Sequence, residues 1–164
     1  MSEKRVLLVC QSIHHGNTIK IAKAIAEVLN AEIITPSEIN SVNLGKYSLI
    51  GMGSGIYWGK HHQSILKLAD KMPTLKNKRI FIFSTSGISN AFNLFLNITN
   101  LAFHFHTSLR RKLKDAVIVG EFNCKGFDTY GILKFSGGVS KGRPNEMDLK
   151  RAKSFAENLK HSLK

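Results

Sequence analysis

Five short apolar segments alternate with amphipathic ones along this chain. The apolar segments are residues 5–10, 31–35, 47–53, 79–85 and 116–122. The first, fourth and fifth are almost continuous in valine, isoleucine, leucine and phenylalanine, which is typical of strands that are buried on both faces. Apolar residues at helical spacing predict helices over 17–29, over 61–72 and from about 145 to the C-terminus. The pattern therefore predicts an α/β fold with three layers, in which helices cover a five-stranded parallel sheet.

Three stretches add detail to this prediction. Asn145 and Asp148 are spaced as a capping pair at the start of the last helix. Residues 90–113 carry two apolar stripes and a basic end, so they form either a long core helix or a surface for a partner, a second copy or a membrane. Residues 123–144 carry few helical cues and are expected to form a long loop, which is often functional in a compact domain.

Length and cysteine content favour one domain over residues 1–164 in a reducing, cytoplasmic environment. Cys10 and Cys124 lie far apart and have neither CxxC nor Cys/His spacing, so neither a disulfide framework nor a metal site is indicated. The apolar run near the N-terminus has six residues, which is too short for a signal sequence or a membrane span. No transmembrane segment is expected.

The formal net charge of +13 is the most unusual bulk property. Such a charge is compatible with nucleic acid, an anionic membrane or an acidic protein as the partner, and it does not choose between them. No recognised nucleic-acid motif is present, and the basic residues are not interleaved with aromatic ones. Specific nucleic-acid binding is therefore not expected.

In sheets of this kind ligands bind beyond the carboxyl ends of the strands, so four loops are candidates: those after Cys10, Gly53, Ser84 and Phe122. The first, SIHHGNT, contains neither the dinucleotide fingerprint nor the nucleoside-triphosphate loop. Its glycine allows close backbone approach, and its small polar side chains and helix amides can bind an anion such as a phosphate monoester. Alternatively, these side chains only cap the helix.

The second loop places Tyr57 beside Trp58, the only tryptophan, among three glycines. Two adjacent aromatic side chains in a glycine-rich turn can form a stacking wall for a planar ligand, or they can fold over the edge of the core. The glycines Gly53, Gly55 and Gly59 are expected to leave the backbone free to approach a ring and to change conformation. A phosphate loop and an aromatic loop together indicate a mononucleotide with a large ring.

Over essentially its whole length the sequence resembles the flavodoxin family, through HHGNT, GSGIYWGKHH, FIFSTSG, GEFNCKGFDTYG and KGRPNEMDLKRAKSFAE. The resemblance implies the strand order 2-1-3-4-5 and electron transfer through bound FMN. It assigns the FMN phosphate to Ser12, His14, His15, Gly16, Asn17 and Thr18. It assigns the flank of the flavin ring to Gly53, Ser54, Gly55, Ile56, Tyr57, Trp58 and Gly59, and the pyrimidine edge to Ser84, Thr85, Ser86 and Gly87.

This chain departs from the family in four features. Flavodoxins are commonly acidic, so this basic chain is expected to use a redox protein partner with an acidic surface, such as a ferredoxin-like protein. The loop STSGISN lacks the aromatic residue that many flavodoxins place there. Residues 123–144 differ from the matching segment of the short electron carriers and are expected to cover the flavin or hold a substrate. Histidines replace neutral threonines in the phosphate loop, so FMN affinity is expected to weaken as the pH rises from about 6 to 8, the range in which histidine titrates.

Three functions remain open on the sequence alone. The first is an FMN electron carrier without a catalytic role. The second is an enzyme that passes hydride from NAD(P)H through FMN to a quinone-type acceptor, with His61, His62, Asp128 and Tyr130 as candidate catalytic residues. Histidines at the start of a helix, such as His61 and His62, more often lie in solvent than in an active site. The third is a basic interaction module that has lost flavin binding.

Overall fold

The computed structural model describes residues 5–72, 75–87, 105–129, 135 and 137–162. Its strands are β1 (Arg5–Gln11), β2 (Glu32–Ile34), β3 (Tyr47–Tyr57), β4 (Lys60–His61), β5 (Arg79–Ser86) and β6 (Val117–Lys125). Its helices are α1 (Asn17–Leu29), α2 (Gln63–Lys71), α3 (Thr107–Lys112) and α4 (Glu146–Ser162). Two short 3-10 segments, Pro36–Ser41 and Leu44–Lys46, lead from β2 into β3.

The sheet has the strand order β2-β1-β3-β5-β6, and all neighbours on this path are parallel. These are the five strands predicted from the sequence, so the α/β fold and the order 2-1-3-4-5 are confirmed. The short β4 pairs antiparallel with the end of β3 and was not predicted. It closes a hairpin whose two turn residues, Trp58 and Gly59, have φ angles of 51° and 76°. A two-residue strand is too short to show an alternating pattern.

Each face of the sheet is covered by a pair of helices. On one face, large apolar side chains of β1, β5 and β6 pack against α1 and α4; this α1/α4 core includes Leu8, Phe81, Phe83 and Phe122. On the other face, β1, β3 and β5 pack against α2 and α3; this α2/α3 core includes Val9, Met52, Ile82 and Leu109. Successive residues of a strand point to opposite faces, so central strands that are buried on both sides read as continuous apolar runs.

Two glycines of β3 make room for phenylalanine rings of β5. A Cβ atom at Gly51 would lie 2.3 Å from the Phe81 ring, and one at Gly53 would lie 2.4 Å from the Phe83 ring. The sequence-based interpretation of Gly53 as a flexible loop glycine is therefore wrong, since Gly53 lies inside β3 and lets β5 place a large side chain over it. β3 runs four residues beyond the predicted strand, to Tyr57, so the turn of the second predicted loop is formed by Trp58 and Gly59.

The helix predictions differ in outcome. Residues 17–29 are confirmed as α1, and the capping pair at the start of α4 is confirmed because Asp148 N donates to Asn145 Oδ1 at 3.1 Å and Asn145 N donates to Asp148 Oδ2 at 3.0 Å. The second helix begins at Gln63 rather than at residue 61, because residue 61 belongs to β4. Of the predicted helix over 90–113, only α3 lies among the described helical residues, and residues 88–104 lie outside the described part.

The predicted loop over 123–144 begins as a strand instead. Asn123 to Lys125 continue β6, and an isolated antiparallel bridge joins Asp128 to Val139. Residues 130–134 and 136 lie outside the described part of the chain. Among the residues that are described, no helix is both long and apolar enough to cross a membrane.

Candidate functional site

A cleft opens beyond the carboxyl ends of β1, β3, β5 and β6. Four segments line it, and they contribute Ile13, His14, Asn17, Thr18, Gly55, Ile56, Tyr57, Thr85, Ser86, Gly87, Gly126, Phe127 and Asp128. The first three segments belong to the first three predicted loops, and the fourth follows β6. The structure thus brings together, at one edge of the sheet, the segments that the sequence singled out.

The turn from β1 into α1 leaves polar groups available for a ligand. His15 and Gly16 have φ angles of 54° and 64°, and no side chain caps the N-terminus of α1. The hydroxyl of Ser12 is buried and has no hydrogen-bond partner among the residues that the structure describes. Free helix amides and a buried hydroxyl donor together suit an anion.

Asn17 and Thr18 tie this turn to the neighbouring loops. Asn17 Nδ2 donates to the carbonyl oxygen of Phe127 at 2.7 Å, and the Thr18 and Thr85 hydroxyls are 2.8 Å apart. The other polar side-chain atom of Asn17, Oδ1, is buried and accepts from no donor in the described part of the chain. The alternative that these side chains only cap α1 finds no support, since neither Ser12, Asn17 nor Thr18 caps it.

The two histidines of the turn face different neighbours. His15 Nε2 lies 2.8 Å from the Thr129 hydroxyl, and the His15 ring lies 4.5 Å from the Phe127 ring, centroid to centroid. The His14 ring lies 5.7 Å from that of Tyr57. His14 therefore belongs to the wall of the cleft, while His15 contacts the segment that follows β6.

The aromatic pair of the second loop is divided by the hairpin. Tyr57 lines the cleft and also contacts the His62 ring at 5.7 Å. Trp58 lies at the tip of the hairpin, where its side chain is 83% exposed. Of these two aromatic residues, therefore, only Tyr57 forms part of the cleft wall. Trp58 does not fold over the edge of the core.

Beneath the cleft, in the α2/α3 layer, lies a buried polar cluster that the sequence analysis missed. Ser54 is fully buried; its hydroxyl accepts from the amide of His62 at 2.9 Å, donates to the Gly55 carbonyl at 2.8 Å and lies 3.0 Å from His61 Nδ1. Burial, followed by the charge of nearby His106, lowers the pKa of His61 well below its usual value. His61 is 2% exposed, so the expectation of a solvated histidine is wrong at this position.

The same cluster continues across β5 and β6. The Ser84 hydroxyl accepts from Asn123 Nδ2 at 2.8 Å and lies 2.8 Å from His106 Nε2, and His106 Nδ1 lies 2.8 Å from a carboxylate oxygen of Glu121. Arg110 also binds Glu121. Burial would raise the pKa of Glu121, but the hydrogen bonds from His106 and Arg110 lower it to about 2. The rings of His61 and His106 pack with centroids 5.1 Å apart.

Both cysteines lie in the α1/α4 core. Burial raises the pKa of each thiol, Cys10 and Cys124, to about 12. A thiolate is the reactive form of cysteine, so neither side chain is suited to redox chemistry at neutral pH. Both cysteines are free and buried, so they pack as core side chains.

The structure divides the predicted site residues into two groups. Lining the cleft are His14, Asn17, Thr18, Gly55, Ile56, Tyr57, Thr85, Ser86 and Gly87. Not lining it are Ser12, His15 and Gly16 in the turn, Gly53, Ser54 and Ser84 inside strands, and Trp58 and Gly59 in the hairpin. Ile13, Gly126, Phe127 and Asp128 line the cleft without having been assigned to the cofactor. Gly126, Phe127 and Asp128 could have been found from the sequence, because they follow a buried strand.

Residues 8–121 match the family described as flavodoxin domain. Uncharacterized protein MJ0298 of Methanocaldococcus jannaschii is 48% identical over 157 residues, which span 94% of this chain and 97% of that protein. Among solved structures, a flavodoxin from the domain Archaea covers 96% of this chain and 97% of its own, with a TM-score of 0.66 and 15% identity. A flavoprotein in complex with FMN from Lactobacillus acidophilus covers 82% and 99%, with a TM-score of 0.56 and 16% identity.

The two structural likenesses, at this level of identity, extend to the fold, which is the doubly wound sheet described above. The family match has a wider meaning, because it covers more than half of the chain and includes the first three loops of the cleft. This chain therefore belongs to the flavodoxin domain family.

Proposed function

We propose that this chain binds FMN in the cleft and transfers electrons through it, one at a time, to or from a redox protein with an acidic surface. The observation that carries the proposal is the turn from β1 into α1, which reaches the cleft through His14, Asn17 and Thr18. Beside the cleft, its buried Ser12 hydroxyl and uncapped helix start offer donors to a phosphate. Bound FMN would supply the redox chemistry, since its ring accepts and returns electrons.

The other cleft residues fit the remaining parts of FMN. Asn17 Oδ1 is a buried acceptor that no described residue supplies with a donor, and it would suit a hydroxyl of the ribityl chain. Tyr57 offers an aromatic face on one wall, and Phe127 lies in the segment that forms another. Thr85 to Gly87 supply backbone polar groups at the end of β5. These residues bind and orient the cofactor, and no residue of the cleft needs to move a proton for electron transfer.

Titration of the purified protein with FMN tests the binding step. We expect FMN fluorescence to be quenched on binding, and Ser12→Ala to weaken binding by about tenfold, since the hydrogen bond to a charged phosphate is lost. Ser154→Ala, on the exposed side of α4, is the matched control and should bind as the native protein does. Protein that is colourless after excess FMN has been added and the unbound FMN removed would contradict the proposal. That result would support the basic interaction module instead.

Stepwise photoreduction of the FMN-loaded protein tests the one-electron role. A carrier should accumulate the one-electron-reduced flavin, with its own absorption bands, before full reduction. Direct conversion of oxidised to fully reduced flavin would leave the one-electron role without support.

A flavin enzyme that takes hydride from NAD(P)H is the second candidate. It is favoured by the cleft wall after β6, where Phe127 and Asp128 lie against the proposed flavin site and can contact a substrate. Burial of His61 removes one of its candidate catalytic residues. Stopped-flow mixing with NADH and NADPH separates the two functions: rapid flavin reduction that saturates with nicotinamide indicates the enzyme, and slow, unsaturable reduction indicates the carrier.

A further inference from the structure

The hydrogen bonds around Ser54 determine which nitrogen of His61 carries a proton. A serine hydroxyl has one hydrogen and two lone pairs. At Ser54 the hydrogen goes to the Gly55 carbonyl, and one lone pair accepts from the His62 amide. The remaining contact, to His61 Nδ1 at 3.0 Å, is a hydrogen bond only if Nδ1 is the donor. Only the Nδ1–H tautomer of His61 allows all three contacts of the Ser54 hydroxyl to be hydrogen bonds at once.

In this tautomer the other ring nitrogen of His61, Nε2, carries a lone pair. Nε2 is buried and has no partner among the described residues. A proton on Nε2 would create a buried N–H without an acceptor next to the His106 ring, which lies 5.1 Å away. Among the described residues, His62 is its neighbour in sequence, His106 packs against this ring and Glu121 acts on it electrostatically. Glu121 is itself bound by His106 and Arg110. His61 thus acts as a neutral N–H donor.

All donors in this chain of hydrogen bonds point towards the cleft. His61 Nδ1–H donates to Ser54, and Ser54 donates to the carbonyl of Gly55, which lines the cleft. A peptide unit is planar, so fixing the carbonyl of Gly55 also fixes the amide of Ile56, the next wall residue. Two strands pair with this stretch of β3, β5 at Gly55 and β4 at Ile56, and the Ser54 hydroxyl adds a side-chain restraint on the Gly55 carbonyl itself.

We propose that His61 is a positioning residue of the cofactor cleft: as an N–H donor it holds Ser54, and through Ser54 it sets the orientation of the Gly55–Ile56 peptide that faces the ligand. This role deepens the proposed FMN binding and rests on it. His61 touches neither cleft nor ligand, so it is distinct from the catalytic role considered for it from the sequence.

The first test needs no cofactor. Long-range nitrogen–proton NMR spectra of the native protein distinguish the two neutral tautomers and the charged imidazole. We expect His61 to show the Nδ1–H tautomer at pH 7. The Nε2–H tautomer or a charged ring would overturn the proposal, whether or not the protein binds FMN.

The second test compares variants of His61 by FMN affinity and by the reduction potential of bound FMN. Asparagine places an amide N–H near the position of Nδ1, whereas leucine supplies no donor. We expect His61→Asn to stay within about threefold of the native dissociation constant and His61→Leu to weaken binding by about tenfold, the equivalent of one hydrogen bond. The reduction potential of bound FMN should differ from the native value in His61→Leu and match the native value in His61→Asn. His161→Leu, on the exposed end of α4, is the matched control.

A double variant separates positioning from general damage to the core. If His61 acts through Ser54, then Ser54→Ala with His61→Leu should bind FMN no more weakly than the worse single variant. Additive losses would overturn the proposal, and so would an Asn variant as impaired as the Leu variant. Failure of the native protein to bind FMN is seen before any variant is made and overturns both the function and the positioning role; native binding with unaltered variants overturns the positioning role alone.

Discussion

At the scale of single residues, His61 links the buried polar cluster to the pH dependence of stability. Its pKa in the folded protein lies well below the value of 6.5 usual for histidine, mainly because it is buried. Between the two values the unfolded chain binds a proton that the folded chain does not, so folding is opposed as the pH falls. The stability contributed by the neutral ring is thus complete above pH 6.5 and is lost progressively below it.

We therefore expect the free energy of unfolding to fall between pH 7 and pH 5, with His61 contributing at most about 1.4 kcal/mol per pH unit. Urea denaturation at a series of pH values measures the slope. His61→Asn should make the slope shallower, while His161→Asn should not change it. The carboxylate of Glu121, with its pKa lowered from 4.5 to about 2, affects stability mainly between these two values and contributes little above pH 5. Equal slopes in all three proteins would show that His61 does not titrate on unfolding.

The histidines of the first loop carry a separate prediction about the cofactor. If either imidazole is protonated beside the FMN phosphate, FMN affinity should fall as the pH rises from about 6 to 8. Replacing His14 and His15 by threonine should flatten this dependence. Fluorescence titrations at several pH values measure it, and an unchanged profile would mean that the two rings act as spacers. His15 already contacts Thr129 and Phe127, so the single variants should differ.

At the scale of elements, β3 shows where sequence patterns fail. Gly53 was grouped with the glycines of the second loop because glycine is common in turns, yet it lies within β3 and accommodates a ring of β5. That reason depends on the register of β3 against β5, which no local pattern contains. The first loop was easier to interpret, since a buried strand, a glycine and a helix start are all local features.

The packing of Gly53 against Phe83 gives a prediction. Gly53→Ala should destabilise the protein by about 1–3 kcal/mol, because the new methyl group would overlap a ring held in the core. Urea denaturation measures the change. Phe83→Leu in the same chain should recover part of the loss by making room for the methyl group. If the double variant were less stable than the sum of the two single losses predicts, the overlap would not be the cause.

The polar cluster shows the same limit for the site. The strands and three loops of the cleft could be predicted from the sequence, and so could Asn17, Thr18 and Tyr57 as wall residues. The cluster could not, because Ser54, Ser84 and Asn123 come into register only when β3, β5 and β6 pair. Serine inside a strand also looks the same as serine in a loop.

At the scale of the whole molecule, the formal charge of +13 predicts how fast a redox partner associates with this protein. A basic carrier should associate fastest with an acidic redox protein, because the fields of the two molecules attract. Raising the ionic strength from about 0.01 to about 0.15 M shortens the screening length from about 30 to about 8 Å. Stopped-flow electron transfer with an acidic ferredoxin should slow by about tenfold over this range. A rate independent of salt, or one that rises with it, would argue against an acidic partner.

The hairpin between β3 and β4 carries an intrinsic fluorophore. Trp58 is the only tryptophan, it is almost fully in solvent, and it follows directly after a wall residue of the cleft. Its emission should be that of a hydrated indole. Flavin loading should quench this emission by energy transfer to the nearby ring, whereas a protein that covers the hairpin should shift it to shorter wavelength. Cofactor loading and partner docking can thus be followed separately in the native protein, without any attached dye.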